Sequence, residues 1–259
     1  MSRVGPRIAS LVPSVTELVV ALGLRERLVA RTGFCIHPRD ELRDVPKVGG
    51  TKDVQLDRLR ALAPTHAIVN VDENRLEQVQ ALREFVPEVI VTHPNAPLDN
   101  LALLQQMVAA FGDEPGVAER AAALRDELQR ELALTAARPW PACKVLYLIW
   151  RQPWMTVARD TYIAAMLATV NWRTLPDVTG GPAGAARYPV VDPAAPWLRD
   201  VQRVLLSSEP YRFEAKHLDE ARRLAPGAQV QLVDGELLSW YGPRAAAGLR
   251  YLRELAAAA

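Results

Sequence analysis

Short apolar, β-branched runs alternate along the chain with segments of helical periodicity. Residues 7–11, 28–31, 67–71 and 88–92 are predicted strands, each short and apolar enough to lie buried in a parallel sheet. Residues 16–22, 56–62 and 74–85 are predicted helices, with Ser14 placed to cap the first and Glu17 in its opening turn. Beyond Pro97 the pattern is helical over 98–111 and again, after the break Gly112-Asp113-Glu114-Pro115, over 116–136. That second stretch is rich in Ala, Leu, Glu and Arg, and no Pro or Gly interrupts it from Val117 to Arg138. Pro139-Trp140-Pro141 ends it. A second series then follows, with strands at 144–149, 155–158, 204–206 and 229–233 and helices at 162–170, 214–224 and 245–258. A Gly- and Ala-rich loop is expected over 179–186.

Strand–helix alternation means βαβ crossovers, hence an α/β fold. The chain is therefore read as two α/β lobes, 1–112 and 139–259, with a ligand cleft between them, bridged by one long rigid α-helix within 113–138. A continuous helix resists the wide closure that a Gly/Ser linker permits, so the cleft is expected to be largely preformed. Its lining should come from the loops that follow the strands.

The 259 residues suffice for two lobes with hydrophobic cores of their own. Lys and Arg number 31 against 30 Asp and Glu, a net charge of +1, which excludes a nucleic-acid binder working through a broad basic field. With 49% hydrophobic and 24% charged residues the composition is that of a folded globular chain. Two cysteines, Cys35 and Cys143, exclude a disulfide framework. No stretch approaches the roughly 20 apolar residues of a spanning helix. Pro13 and Glu17 interrupt the apolar region 8–24, so no export signal is read. A start at Met1 predicts a cytoplasmic protein, and a start further upstream a periplasmic one.

Candidate chemistry lies in the loops after the strands. In the first half these offer Pro13 and Ser14, then Cys35 and His37, then Gly50, Thr51 and Lys52, then Asp72 and His93. Paired Gly49-Gly50 would let the backbone approach a ligand closely. The second half offers Trp150, Arg151 and Trp154, then Glu209 and Tyr211, then Trp240, Tyr241 and Arg244. Aromatics are only 6% of the chain, yet five fall in these loops, which suits a large planar or conjugated ligand. Lys52, Arg151 and Arg244 are candidate anchors for its carboxylates or amides. Asp72-Glu73 and Glu209 form a candidate acid pair across the cleft. Cys35 and His37, two apart in an extended loop, form with His93 a candidate Zn²⁺ or Fe²⁺ ligand set. His66, leading into an apolar strand, and His217, on a polar helix, are read as structural. There is no phosphate-cradling Gly-rich loop with Lys-Ser/Thr and no Gly-x-Ser-x-Gly elbow.

The segment Arg7-Ile-Ala-Ser-Leu-Val-Pro-Ser-Val-Thr-Glu17-Leu, the Gly49-Gly50 loop, and Leu56-Asp57-Arg58-Leu-Arg-Ala-Leu-Ala-Pro64 resemble the helical-backbone periplasmic-binding-protein family. The likeness continues through Pro153-Trp154-Met-Thr and Trp240-Tyr241-Gly242-Pro243-Arg244, and it is nearest to the cobalamin-binding members. That family captures cobalamin, haem and iron–siderophore chelates for ABC importers. The resemblance implies two lobes braced by a long helix, non-catalytic ligand binding, no covalent cofactor, and an ABC permease as partner if the protein is exported. It places Trp240 where cobalamin binders set a ring against the corrin, and Asp57 where an acidic residue docks onto the permease. Besides the export signal that is not read, the chain departs from the pattern at three further places. Tyr241-Gly242 replaces a second docking acid, Cys35-Ile36-His37 replaces aromatic or small polar residues, and Thr51-Lys52 follows the glycines without an aromatic. The expectation is a binder of a corrinoid or metal chelate, as an importer's receptor or a cytosolic derivative of one. The alternative is a cytosolic metal-ion protein or metalloenzyme built on Cys35, His37 and His93.

Overall fold

A computed structural model describes residues 5–258; the N-terminal segment read for an export signal therefore begins outside the described residues. The chain forms two compact units. The first comprises residues up to Pro94, Asp99–Glu127 and Tyr241–Pro243; the second comprises Asn95–Leu98, Leu128–Trp240 and the segment from Arg244 onward.

The first unit holds a four-stranded parallel sheet of β1 (Ile8–Ser10), β2 (Leu28–Arg31), β3 (His66–Asn70) and β4 (Glu88–Thr92), in the order β2-β1-β3-β4. Ile8, Ala9, Ile68 and Val69 are wholly buried, as strands covered on both faces require. Each such Val or Ile contributes roughly 1.5–3 kcal/mol of burial. The crossovers are α1 (Pro13–Ala21), α2 (Leu56–Ala61) and α3 (Leu76–Leu82), followed by α4 (Asn100–Phe111). Helix α5 (Val117–Ala136) belongs to the first unit as far as Glu127 and to the second from Leu128. The separate connector expected over 113–138 is thus shared out by its contacts.

The second unit repeats the plan. Its sheet of β5 (Cys143–Leu148), β6 (Trp172–Thr174), β7 (Arg203–Ser207) and β8 (Gln229–Val233) is parallel, in the order β6-β5-β7-β8. Helices α6 (Tyr162–Ala168), α7 (Leu218–Leu224), α8 (Gly235–Ser239) and α9 (Arg244–Ala257) accompany it. Helix α9 is tied to α5 through Glu131, whose side chain is only 6% exposed and accepts from Arg250 (3.0 Å) and Arg253 (2.5 Å).

Four local expectations are corrected. Helix α1 begins at Pro13, whose fixed φ suits the first helical position, so Val12 is the N-cap, Ser14 lies inside the first turn without capping, and no acid occupies that turn. Residues 156–158 are buried as expected but are not a sheet strand. Thr156 and Ala158 donate to the carbonyls of Pro189 and Arg187, and Met155 makes only isolated bridges. Strand β6 lies where the sequence predicts no strand; it exists through pairing with β5, with Arg203 lying 5.4 Å over the Trp172 ring. Helix α8 stands where the sequence predicts a loop, and Asp234 caps it by accepting from the Leu237 N–H.

Candidate ligand-binding site

In a parallel sheet every strand delivers its following loop to the same edge, and that edge is where ligands gather in α/β folds. In the first unit the loop after β3 is organised by Asn70, the last residue of the strand. Its Oδ1 accepts from the Asp72 N–H (2.8 Å) and Glu73 N–H (3.3 Å), and its Nδ2 donates to the Thr92 carbonyl (3.0 Å). Asn74 Nδ2 donates to the carbonyls of Thr51 (2.9 Å) and Leu11 (3.3 Å), fastening the loops after β1 and β2 to the loop after β3. Asp72 faces His93 across 3.5 Å, and Lys52 Nζ donates to the Asp72 carbonyl. Tyr241, reaching this unit from the far end of the chain, donates its hydroxyl to Glu73 (3.2 Å), and its phenol is pushed well above the usual range by burial and by the neighbouring carboxylate.

The glycine pair serves the chain itself. Gly49 sits at φ +94°, and a Cβ there would lie 2.3 Å from the Asp53 carbonyl oxygen, so the residue is required by the tight turn over 49–54. Gly50 is half-buried beneath Phe34, whose ring a Cβ at 50 would meet at 3.3 Å. Phe34 is 63% exposed and supplies the aromatic beside this loop that Thr51-Lys52 lacks. In the sequence it stands beside the Cys35-Ile36-His37 segment, one residue before Cys35 and three before His37. An apolar ring in a polar loop was the available signal.

The proposed metal set is not assembled. Among the described residues no group of three or more His, Cys, Asp or Glu side chains is placed to hold a metal ion. Cys35 is wholly buried, with Sγ 3.1 Å from Thr32 Oγ1 and donating to the Ser10 carbonyl, and burial raises its thiol pKa against the lowering effect of Thr16 and Thr32. His37 is half-buried in its loop, and His93 is directed to Asp72. The lone extended spacing from 35 to 37 carried no information about which way the thiol turns. Pro13 and Ser14 are buried in α1. Asp57 is exposed in the first turn of α2.

In the second unit the same edge is aromatic. Trp150, 41% exposed, meets Tyr211 edge-on at 5.6 Å; Trp154 stacks on Phe213 at 5.9 Å; and Tyr211 and Phe213 both pack on His217. His217 is structural, as read: buried, it accepts at Nδ1 from the Glu214 N–H that opens the turn before α7. Arg151 is paired with Glu220 (2.7 Å). Glu209 accepts from Ser239 Oγ and from Trp240 Nε1 (2.7 Å), and burial raises its carboxyl above the usual range in spite of those bonds. Arg244 is paired with Glu236 and lies 4.7 Å over the Trp240 ring, which is 8% exposed. All three expected anchors, Lys52, Arg151 and Arg244, therefore already have protein partners.

Two parallel four-stranded units with loop clusters at their strand ends define an α/β binding-protein fold. A family described as periplasmic binding protein matches residues 8–179, more than half of the chain, and the chain belongs to that family. A curated relative, the vitamin B12-binding protein of Vibrio parahaemolyticus, is 28% identical over 154 residues, 59% of this chain; the chain spans about half (54%) of that relative's length. Among solved structures, the periplasmic vitamin B12-binding protein of Vibrio cholerae superposes with a TM-score of 0.77 at 18% identity, covering 96% of this chain and 97% of its own. The periplasmic haem-binding protein of the same organism superposes at 0.76 and 22% identity, covering 96% and 98%. These likenesses establish the fold. No helix among the described residues is long and apolar enough to cross a membrane.

Proposed function

We propose that this chain binds a corrinoid of the cobalamin type, as the substrate-binding component of an importer. The observation that carries the reading is the exposed Trp150 ring braced by Tyr211 at the strand ends of the second unit, on a chain similar to a vitamin B12-binding protein. A flat, partly apolar macrocycle is matched by an exposed, edge-braced ring against its face. In this reading Asp57 is the contact to the permease and the protein acts in the periplasm. Fractionation of cells producing the full chain tests the location.

Titration of the purified chain with cyanocobalamin, followed by indole fluorescence and thermal shift, tests the ligand. Bound ligand stabilises the native state by mass action, so the melting temperature should climb with concentration. Trp150→Ala should weaken binding by about tenfold, the equivalent of about 1.4 kcal/mol. Haemin and ferric siderophores run as comparison arms. Stabilisation by haemin alone would transfer the reading to haem, and no response to any of them would remove it.

A further inference from the structure

Tyr211 has a hydroxyl hydrogen that no described residue accepts. Its ring is half-buried and meets the exposed Trp150 edge-on at 5.6 Å. Its backbone N–H donates to the Ile149 carbonyl (3.3 Å), which joins the loops after β5 and β7 beside the indole. The phenol also packs on Phe213 at 4.8 Å and on His217 at 5.6 Å. Ring contacts and a backbone bond therefore set its position, and the hydroxyl is not needed for that.

The hydroxyl lies 3.2 Å from His217 Nε2, and the other ring nitrogen decides which of the two donates. His217 Nδ1 accepts the Glu214 N–H (2.9 Å), so it holds no hydrogen of its own. The imidazole then carries its proton on Nε2, and Nε2–H donates to the phenol oxygen. The charged groups beside the phenol, Arg151 and Lys216, hold donors only and cannot take its hydrogen either. That hydrogen is left for an acceptor from outside the chain, next to the exposed ring.

We infer that Tyr211 is a ligand-binding residue, donating its hydroxyl hydrogen to a carbonyl or carboxylate oxygen of the ligand held beside Trp150; the inference rests on the binding role proposed above. Trp150 supplies apolar contact, which tolerates many flat ligands, whereas a fixed donor discriminates by where the ligand carries its oxygen. His217, although structural, sets that direction by being the donor in its bond to the phenol.

The first measurement needs no ligand. The chain has four histidines, and the ¹⁵N ring resonances of the full chain, with His217 assigned by its loss in His217→Gln, should show a bare Nδ1 and a protonated Nε2. A proton on Nδ1 would make His217 the acceptor of the phenol hydrogen and overturn the inference. The second measurement is cyanocobalamin titration of Tyr211→Phe, which keeps the ring and removes the hydroxyl. Affinity should fall by about tenfold. The ¹⁵N-indole resonance of Trp150, assigned by its loss in Trp150→Phe, should stay in place in the ligand-free variant. Unchanged affinity, or a loss accompanied by a displaced Trp150 resonance, overturns the donor role while leaving the binding role standing. A wild-type chain that binds no cyanocobalamin overturns both. Thermal melting identifies a Tyr211→Phe chain that fails to fold, and the His217 ring resonances of the wild type then decide alone.

Discussion

The two units place an acid at the same point of the same topology and use it differently. Strands β3 and β7 are equivalent in their sheets, and each ends on a residue whose side-chain oxygen accepts the N–H two residues on: Asn70 for Asp72, Ser207 for Glu209. Turns of this kind let a short polar side chain take over a backbone bond and hold the next loop in place. In the first unit the Asn side chain has two further donors, which reach Thr92 on β4, and the acid it presents meets a histidine in a polar network. In the second unit the Ser hydroxyl is tied back to Tyr147, and the acid it presents meets an indole. Topology delivers the acid to the sheet edge; the neighbouring side chains decide what it does there.

The comparison breaks most readily at the turn residues. Asn70→Ala removes four side-chain hydrogen bonds within the buried network and should cost about 3 kcal/mol in urea unfolding. Ser207→Ala removes three and should cost about 2 kcal/mol. Equal losses would mean that the larger Asn network adds nothing. Gly235→Ala should also destabilise by about 2 kcal/mol through overpacking and should displace the Trp240 indole resonance, since the new methyl presses on Glu209.

The smallest effect is in the pH dependence, where two of the second unit's shifted carboxyls, Glu131 and Glu209, move in opposite directions. Burial raises the Glu131 carboxyl, but Arg253 and Arg250 more than offset it, so its pKa lies below the usual 4.5. Its contribution is present above 4.5 and is lost as pH falls through the lowered value. Burial raises Glu209 above 4.5, with Glu236 adding to the rise and Ser239, Trp240 and Arg244 opposing it. Its contribution is complete below 4.5 and declines as pH rises through the raised value. Relative to wild type, Glu131→Gln should therefore compare worst at neutral pH, and Glu209→Gln should gain as pH rises from 4.5. Slopes of the same sign in the two difference curves would contradict this assignment.

Much of the frame was legible because it is written locally. Strands β2, β4 and β8 are apolar runs that match their expected limits, and the uninterrupted helix formers after Gly116 give α5 almost to the residue. Strand β6 is too short to establish a period: Trp172 and Thr174 are buried with Arg173 exposed between them, but three residues say little until β5 pairs with them. The candidate site was legible as a set of loops and illegible as contacts. Trp150 stands exposed beside Tyr211 as an aromatic loop suggests, whereas Cys35 turns its thiol into the core and Gly49 answers to its own turn.

What the chain settled by itself is the alternation of buried strands and amphipathic helices, because side-chain periodicity and backbone propensity act over a few residues. Which side chains meet was decided only in three dimensions. Glu209 and Trp240 stand 31 positions apart, and Glu73 and Tyr241 stand 168 apart. Hydrogen bonds and ring contacts form at about 3 to 6 Å, a distance that sequence separation does not measure.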